Sequence, residues 1–567
     1  MIRQEIIKQY ISSLKEDDEL DFIFPLLLER MGFRILSTPR QSKGMSQYGR
    51  DVIAVKKIKE VPTLFLFELK GFVAKDVTDR TLNEKDGLIE SLRASKYTVY
   101  EDASIPNLKD YPRQYVFVHN GTVDANAQPT LNGFIKSEFP EGNFERWDLA
   151  KLTSLFSKYL FDETLLADDE SYRLFKKCLV LLDAEENDLT DIVRLVNLQV
   201  EKMETAKKDS RRQLLNFFAT LRLIVSMVHF YSQESDNLYP AKFCVDTVVL
   251  KAWAWILKGK REKKTSILRL FNGLVMQQML IYEEYVNKIL QFANFNKSLY
   301  SFQASLTEHV FYPLRCYDFL GDLIYFYLLT EAYGADLKKV GKIRMNALKA
   351  IIRNNTACTM PLLDTHSIPI LMVFRYMAFR VEQQDDTDCL ANFIVDTVIN
   401  LSLRYKKQKM WPEMSGNRMA LAKILVSKSE DYNCDSSLLI LSLFELISHL
   451  GITELYTTFK EVVENSKVNL QVAYPEIAEY DIEQCLFEHR LNKELSVETN
   501  IRLPQTIEEF KNTFKKKYSS INYRTDAVGY GFLRTLAHKY YETDFFPDYL
   551  GRTFCEDLIK KEAPQQS

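Results

Sequence analysis

Proline and glycine are concentrated at one end of this chain of 567 residues. The first 142 residues hold seven of the 16 prolines and eight of the 18 glycines, and no proline occurs between Pro140 and Pro240. Both residue types mark turns and interrupt helices, so their scarcity permits long helices. The sequence therefore predicts a turn-rich region with strands at the start, followed by a much longer helical region.

Segments of strand and helix character alternate in the first part of the chain. Strands are predicted over residues 33–37, 50–58, 63–72, 114–119 and 144–147, and helices over residues 20–31, 82–97, 124–138 and 149–160. Strands that alternate with helices predict an α/β domain, in which helices flank a central mixed sheet. We expect this domain to span residues 1–165.

Beyond residue 170 the pattern is helical almost throughout. In residues 212–229, for example, apolar side chains recur at the three- and four-residue spacing of one helix face. We expect residues 170–560 to form a large all-helical domain that senses a signal, oligomerises or binds a partner. The sequence shows no fixed-period repeat, so a diverged α-solenoid and a division into two subdomains both stay open.

Composition and charge limit the class of protein. The hydrophobic fraction of 46% and the net charge of −3 are typical of a folded soluble protein and exclude a globally basic nucleic-acid coat. The eight cysteines stand singly, without the spacing of zinc ligands, which predicts free thiols. Without a signal peptide or an uninterrupted apolar run of about 20 residues, we expect a cytoplasmic protein with no membrane segment.

The third predicted strand is apolar on both faces, as a central covered strand requires, yet it ends with Glu68 and Lys70. Asp51 stands at the start of the strand before it. Charged groups at the end of a buried strand are destabilising unless they are paired or bind a metal. A place where the sequence breaks a local rule in this way is a candidate functional site.

These side chains supply what the hydrolysis of a phosphodiester requires, namely a divalent metal and a positioned water. Asp51 and Glu68 offer hard oxygen ligands suited to Mg²⁺ or Mn²⁺, and the carbonyl of Leu69 is a further candidate ligand. Lys70 projects from the same strand face as Glu68, where it is expected to orient the water. Partial burial is expected to lower the pKa of Lys70 toward that of a general base.

The G-R-D sequence ending at Asp51 and the E-L-K sequence from Glu68 to Lys70 resemble the motif of the PD-(D/E)XK, or restriction-endonuclease-like, nucleases, in particular the Mrr-like modules. The resemblance covers roughly the first 160 residues. It implies that Asp51 and Glu68 bind the metal, that Lys70 is the catalytic lysine, and that Glu29 on the preceding helix is a second-site or orienting acid. Two departures stand out: no proline precedes Asp51, and Glu68 stands where many Mrr-like proteins have glutamine.

Other interpretations of the motif stay open. A structural ion pair on a solvated edge strand gives the same E-x-K letters, and an inactivated nuclease fold keeps the motif without the activity.

Several residues near the motif are candidate contacts to a nucleic-acid backbone. They are Arg40, Lys43 and Ser46 in a loop rich in glycine and serine, and Lys85 and Arg93 in the segment of the following helix. Ordinary solvated surface explains the same residues equally well.

The resemblance and the size of the helical region together predict a metal-dependent endonuclease that acts on DNA and is regulated by its C-terminal part. By analogy with other nuclease effectors, we expect a role in bacterial anti-phage defence or restriction. The sequence has no Walker A loop, so any ATPase that takes part would be a partner. A partner ATPase, a phage-derived trigger and self-association all stay open. The alternatives are a non-catalytic helical scaffold with a degenerate nuclease fold, and an RNase of the same fold.

Overall fold

A computed structural model describes most of the chain. The described residues are 2–38, 49–71, 77–84, 87–102, 105–160, 169–182, 189–205, 210–301, 308–414, 416, 418, 421, 437–466, 468, 470, 472–474, 481–490, 496–498, 503–517 and 523–543. The chain divides into two compact units, Met1–Val249 with Thr265–Gln277, and Leu250–Lys264 with Gln278–Ser567. The domain boundary predicted between residues 165 and 170 falls inside the first unit, and the assignment of domains stays a prediction.

The first unit contains a five-stranded mixed sheet with the strand order β1-β2-β3-β4-β5. The strands are β1 (Arg34–Ser37), β2 (Val52–Ile58), β3 (Val61–Lys70), β4 (Arg113–His119) and β5 (Phe144–Trp147). β1, β2 and β3 pair antiparallel, whereas β4 runs parallel to both β3 and β5. The five predicted strands and the mixed α/β layout are therefore confirmed, and the strand with the terminal charges is the central one.

Helices precede, connect and follow these strands. They are α1 (Ile2–Ser13), the π-turn (Glu16–Leu20), α2 (Asp21–Arg30), α3 (Asp79–Asn83), α4 (Leu88–Tyr97), a 3₁₀ turn (Leu108–Asp110), α5 (Ala127–Glu138), α6 (Leu149–Tyr159), α7 (Asp169–Leu182), α8 (Thr190–Glu204), α9 (Arg211–Glu234), α10 (Tyr239–Lys258) and α11 (Thr265–Leu290). The single helix predicted over residues 82–97 is wrong. The backbone is extended at Glu84 and at Gly87, and this break separates α3 from α4.

Apolar layers cover both faces of the sheet. On one face, Leu66 of β3 belongs to the same buried cluster as Leu92 of α4. On the other face, the ring of Phe67 meets those of Phe24 and Trp147 edge-on, with ring centroids 5.3 and 5.5 Å away. Each fully buried side chain of this size stabilises the fold by roughly 1.5–3 kcal/mol. The two layers hold β3 in place and so fix the position of its charged end.

Helix α1 contacts both α6 and α9, which joins the sheet to the helices that follow it in the first unit. Asn120, directly after β4, donates from Nδ2 to the carbonyls of Ile11 and Leu14 at 2.7 and 2.9 Å. Ile11 lies in the last turn of α1, where its carbonyl also accepts from the N–H of Leu14 at 3.2 Å, and Leu14 directly follows the helix. The end of α1 is therefore attached to the sheet next to the carboxyl end of β3.

Helix α9 is, within the described part of the chain, the one helix long and apolar enough to cross a membrane by length and composition. Half of its most apolar window is buried inside the protein. A helix that packs an apolar face against other helices passes the same length and composition test without crossing a membrane. The cytoplasmic location stays a prediction.

The second unit is mainly helical. Beside parts of α10 and α11 it contains α12 (Glu308–Ala332), α13 (Leu337–Asn354), 3₁₀ turns (Thr356–Thr359 and Asp364–His366), α14 (Ser367–Ala378), α15 (Gln384–Gln408), α16 (Leu438–Leu450), α17 (Thr453–Ser466), α18 (Ile482–Phe487), α19 (Ile507–Lys517), α20 (Arg524–Ala527) and α21 (Phe532–Tyr541). The prediction of an all-helical region needs one correction, because β6 (Val472–Tyr474) and β7 (Ser496–Glu498) form a two-stranded antiparallel sheet. Strands of three residues are too short to show a period of two.

Candidate active site

The pairing of β2 with β3 brings Asp51 to the end of β3. The backbone N–H of Asp51 donates to the carbonyl of Phe67 at 2.9 Å, and its Oδ2 accepts from the N–H of Leu69 at 2.6 Å. On β3 itself, Lys70 Nζ lies 3.3 Å from Glu68 Oε1. The structure therefore gathers the three residues of the predicted motif at the carboxyl end of one strand.

Gly49 and Arg50 fix the segment that leads into Asp51. Gly49 has a φ of +70°, and a Cβ there would lie 1.9 Å from the carbonyl oxygen of Ser91 on α4. Arg50 is buried and donates to the carbonyl of Thr98 at the end of α4. The glycine of the G-x-D motif is thus required by a close approach of two backbones, which also sets the position of Asp51.

Glu68 is 3% exposed, and its two oxygens have different surroundings. Ser91 donates from Oγ to Oε1 at 2.6 Å, the same oxygen that faces Lys70. Oε2 is buried and has no hydrogen-bond partner among the described residues. A buried polar atom without a partner costs about 1–3 kcal/mol, more for a charged group. This oxygen is therefore well placed to bind a cation.

Glu16, the first residue of the π-turn, is a fourth charged residue at this place. Its Oε1 accepts from Lys70 Nζ at 2.9 Å, and its Oε2 accepts from the N–H of Gly71 at 3.2 Å. A Cβ on Gly71 would lie 2.2 Å from the backbone nitrogen of Glu16, so only glycine permits this contact. We call Asp51, Glu68, Lys70 and Glu16 the strand-end cluster.

Carboxylates outnumber cations in the strand-end cluster by three to one, and this excess of negative charge helps to raise the pKa values of Asp51 and Lys70. Burial and then the charge of Glu68 raise the pKa of Asp51 well above its usual value. Burial by itself lowers the pKa of Lys70, but Glu68, Glu16 and Asp51 raise it above its ordinary value. The expectation of a lowered pKa for Lys70 is therefore wrong for this arrangement, and Lys70 is a firmly charged ammonium.

The residues present fit a divalent cation with oxygen ligands. The cluster has an excess of negative charge, and Glu68 has a buried oxygen without a partner. The N–H of Leu69 faces Asp51, and a strand residue turns its N–H and carbonyl to the same side, so the Leu69 carbonyl also faces that side. No group of three or more His, Cys, Asp or Glu residues in the described ranges can by itself hold a metal. Mg²⁺ commonly takes one or two carboxylates and fills its other positions with water and substrate phosphate.

The structure does not bring Glu29 to the strand-end cluster. Glu29 is exposed near the end of α2, and Met31 just after it accepts through its carbonyl from Lys56 Nζ at 2.8 Å. Lys56 lies toward the opposite end of β2 from Asp51. The ten residues of α2 span about 15 Å. The acidic residue that precedes the sheet and reaches the cluster is Glu16. The only sequence signal for it is Gly71, directly after the E-x-K motif, since a glycine there indicates a close approach of another backbone.

The predicted nucleic-acid contacts lie away from the cluster or outside the described residues. Arg93 of α4 is half exposed, and its Nε lies 2.9 Å from Glu138 Oε1 on α5. Arg93 is two residues from Ser91, and residues at this spacing point to different faces of a helix. Arg40, Lys43, Ser46 and Lys85 lie outside the described residues.

His119, the residue of β4 paired in register with Lys70, is buried and stacked on Phe117, with ring centroids 4.8 Å apart. Burial and then the charge of Arg146 lower the pKa of His119 to about 4. The imidazole is therefore neutral at neutral pH and adds no positive charge beside the strand-end cluster.

Comparison with known proteins gives no match: no family model, no curated protein and no solved structure matches this chain. The geometry of the strand-end cluster is therefore the basis for a functional proposal, together with the resemblance of its motif.

Proposed function

We propose that the protein is a metal-dependent nuclease that hydrolyses phosphodiester bonds at the strand-end cluster. The observation that carries the proposal is Glu68, a nearly fully buried carboxylate with one oxygen unpartnered among the described residues, next to Asp51 with its raised pKa. Buried charges of one sign are strongly destabilising unless an opposite charge compensates them. A divalent cation between the two carboxylates would provide this compensation.

The order of the strands supports the same proposal. The resemblance to the PD-(D/E)XK nucleases implies a mixed sheet in which the aspartate and the E-x-K sequence lie on neighbouring strands. Here Asp51 directly precedes β2 and Glu68 and Lys70 end β3, and helices α3 and α4 separate β3 from its parallel partner β4. Helices cover both faces of this sheet, as that fold requires.

Each residue of the cluster has a role in the proposed reaction. Mg²⁺, when bound, withdraws charge from the phosphate and lowers the pKa of an attacking water. Asp51 and Glu68 would hold the metal, and Ser91 orients Glu68 through Oε1 so that Oε2 is available. Lys70 is charged and partly exposed, so it stabilises the negative charge that develops on the phosphate in the transition state. Its raised pKa suits this electrostatic role better than that of a general base.

DNA is the proposed substrate on the strength of the resemblance, and RNA is the alternative substrate. The proposal extends to an anti-phage effector whose helical region responds to a partner ATPase or a phage-derived trigger, which rests on analogy of architecture. A non-catalytic scaffold with a degenerate nuclease fold is the second candidate function. In that case the ion pairs of Lys70 with Glu16 and Glu68 would stabilise the fold without taking part in a reaction.

Cleavage assays with matched variants test the proposal. Supercoiled plasmid and structured RNA are incubated with the full-length protein and Mg²⁺ or Mn²⁺, beside Glu68→Gln, Lys70→Met and the control Lys338→Met, at an exposed position of α13. We expect the first two variants to lose at least about a hundredfold in rate, since each removes charge stabilisation from the transition state, and the control to keep its rate. Equal cutting by all of the proteins would reject this site.

Metal binding provides a readout that does not depend on a trigger. We expect Mg²⁺ to raise the melting temperature of the wild type and to leave that of Glu68→Gln unchanged, because a ligand stabilises only the state that binds it. A wild type that neither cuts nucleic acid nor gains stability from Mg²⁺ or Mn²⁺ would support the scaffold instead.

A further inference from the structure

We propose that Arg212 and Glu19 are positioning residues for Lys70, a proposal that rests on the nuclease function proposed above. Arg212 and Glu19 hold the π-turn, the π-turn carries Glu16, and Glu16 holds the ammonium of Lys70. Helix α9, far along the chain from the catalytic motif, would thereby set the geometry of the reaction.

The π-turn is an unusual element at a sensitive place. π-Helical segments are rare and occur frequently at functional sites. The N–H of Leu20 donates to the carbonyl of Lys15 at 3.0 Å, which closes the wide turn. Glu19 Oε2 accepts from the backbone N–H of Lys15 at 2.7 Å. The Glu19 carboxylate therefore fixes the backbone on the N-terminal side of Glu16.

Arg212 binds the carboxylate that fixes this turn. Its Nη2 lies 3.4 Å from Glu19 Oε2, and the two side chains are 35% and 21% exposed. Arg212 lies in the first turn of α9, and a capping box of Ser210 and Gln213 fixes the start of that helix. Partial burial makes this pair worth more than a freely solvated surface pair.

Two further hydrogen bonds join α9 to α1, the helix that leads into the π-turn. Ser13 Oγ donates to Asn216 Oδ1 at 3.3 Å, and Arg222 donates to Gln9 Oε1. With the contact of Arg212 to Glu19, α9 therefore holds both the helix before the π-turn and the turn itself. A displacement of α9 would be transmitted to Glu16.

Glu16 and Glu68 share the ammonium of Lys70, at 2.9 and 3.3 Å. If Glu16 moves away, Lys70 pairs with Glu68 alone and competes with a metal for that carboxylate. The backbone of Glu16 lies where a Cβ on Gly71 would be, so the π-turn has little room toward β3, and the movement considered is away from that strand. Arg212 and Glu19 oppose this movement, and Glu68 thereby remains free to bind the metal.

Kinetics of the full-length protein test the positioning role. We expect Arg212→Ala to lower kcat for plasmid cleavage about tenfold with KM within about twofold, because a catalytic group misplaced by about 1 Å loses rate and not substrate affinity. Arg212→Lys, which keeps the charge, is expected to retain most of the rate. Arg211→Ala, one residue earlier and exposed, is the control with unchanged kinetics. Equal rates for Arg212→Ala and Arg211→Ala would overturn the proposal.

Chemical acetylation of lysines, followed by mass spectrometry without metal or DNA, tests the contact itself. We expect Lys70 to react at least about threefold faster in Arg212→Ala than in the wild type, since local release exposes the amine. Lys242, a lysine of the same unit that is 6% exposed, reports loss of the fold and is expected to stay protected. No change at Lys70, or an equal rise at both lysines, would overturn the proposal. The labelling needs no cleavage, so it decides the positioning role even with an inactive wild type, whereas a wild type that neither cuts nucleic acid nor gains stability from Mg²⁺ or Mn²⁺ rejects the nuclease function.

Discussion

Among the described residues, Lys70 and Lys349 each pair with two carboxylates, and the contrast between them separates a candidate reactive site from a structural ion pair. Lys70 belongs to the strand-end cluster of the first unit. In the second unit, Lys349 Nζ of α13 lies 2.7 Å from Asp385 Oδ2 and 2.5 Å from Asp386 Oδ1 at the start of α15. Together with Arg353, these three residues form what we call the helix-start cluster.

The helix-start cluster is balanced in charge and in hydrogen bonds. Arg353 Nη2 lies 2.5 Å from Asp385 Oδ1, so two cations face two carboxylates. Asp386 Oδ2 accepts from two backbone N–H groups, at 3.2 and 3.3 Å. Burial raises the pKa of Asp386. The hydrogen bonds from Lys349, Glu382 and Gln383 lower it by a larger amount, so the pKa of Asp386 is below its usual value. Such a group stabilises the start of a helix and has no need of a ligand.

The strand-end cluster differs on each of these points. Its three carboxylates face a single ammonium, the pKa of Asp51 is raised, and one oxygen of Glu68 is unpartnered among the described residues. A lysine paired with two carboxylates is therefore uninformative by itself. The balance of charge and the satisfaction of each oxygen distinguish the two clusters.

The largest expected effect is a contrast between the two clusters: a substitution in the strand-end cluster lowers the cleavage rate, and one in the helix-start cluster lowers the stability. Glu68→Gln is expected to lose at least about a hundredfold in cleavage rate, yet to keep its melting temperature within about 2 °C, because the substitution relieves repulsion. Lys349→Met is expected to lose about 3 kcal/mol of unfolding free energy, since it leaves a buried carboxylate uncompensated, while the folded fraction keeps its cleavage rate.

Thermal unfolding and plasmid cleavage, measured on the same samples, check the predictions for Glu68→Gln and for Lys349→Met. Lys338→Met, at an exposed position of α13, is the control without effect on either. A Glu68→Gln protein that melts far below the wild type, or a Lys349→Met protein that is as stable as the control, would erase the distinction between the clusters.

A smaller effect follows from the raised pKa of Asp51. A carboxyl whose pKa is higher in the folded than in the unfolded state loses stability as pH rises, because the folded state must give up a proton that it binds more tightly. Without divalent ions, we therefore expect Asp51→Asn to be more stable than the wild type at pH 7.5, by about 1 kcal/mol. The advantage is expected to shrink as pH falls and Asp51 takes up its proton.

Urea unfolding of Asp51→Asn and wild type at several pH values measures this difference. The comparison between the two proteins cancels the contributions of other titrating groups. A wild type that is the more stable protein at pH 7.5 would show that the Asp51 charge is already compensated.

The smallest effect is expected at Arg93, which pairs with Glu138 on the surface of α4 and α5. Arg93→Ala is expected to lose no more than about 0.5 kcal/mol of stability, as is typical of exposed ion pairs. Because its guanidinium is already engaged away from the cluster, KM for DNA is expected to stay the same. A KM raised severalfold in the cleavage assay would restore Arg93 as a nucleic-acid contact.

Local pattern predicted the parts of the site that lie on strands. A period of two places Glu68 and Lys70 at the end of a covered strand, and the structure agrees. Glu16 and Ser91 were beyond this reasoning because they lie 54 and 23 residues from their partners, and no periodic pattern encodes contacts of that range. Glu29 fits the order of the motif along the chain, but the length of α2 carries it away from the cluster.

For the fold too, local sequence pattern predicts some features and tertiary contacts determine others. Five strands and the long helices follow from runs of apolar residues and from turn residues, which are local signals. The break between α3 and α4 depends on the extended backbone at Glu84 and Gly87, and the β6–β7 sheet depends on the pairing of two three-residue segments. Tertiary contacts decide both features, so a single sequence does not reveal them.

The contact of α9 with the π-turn also orders events during synthesis of the chain. Arg212 follows Glu19 by 193 residues. At about 5–20 residues per second, the ribosome needs roughly 10–40 s to make this stretch. A nascent chain therefore carries every residue of the strand-end cluster well before it carries the helix that holds Glu16 in place. If the proposed nuclease function holds, full activity would arise only after a large helical segment has been made, which would delay the exposure of the cell to cleavage.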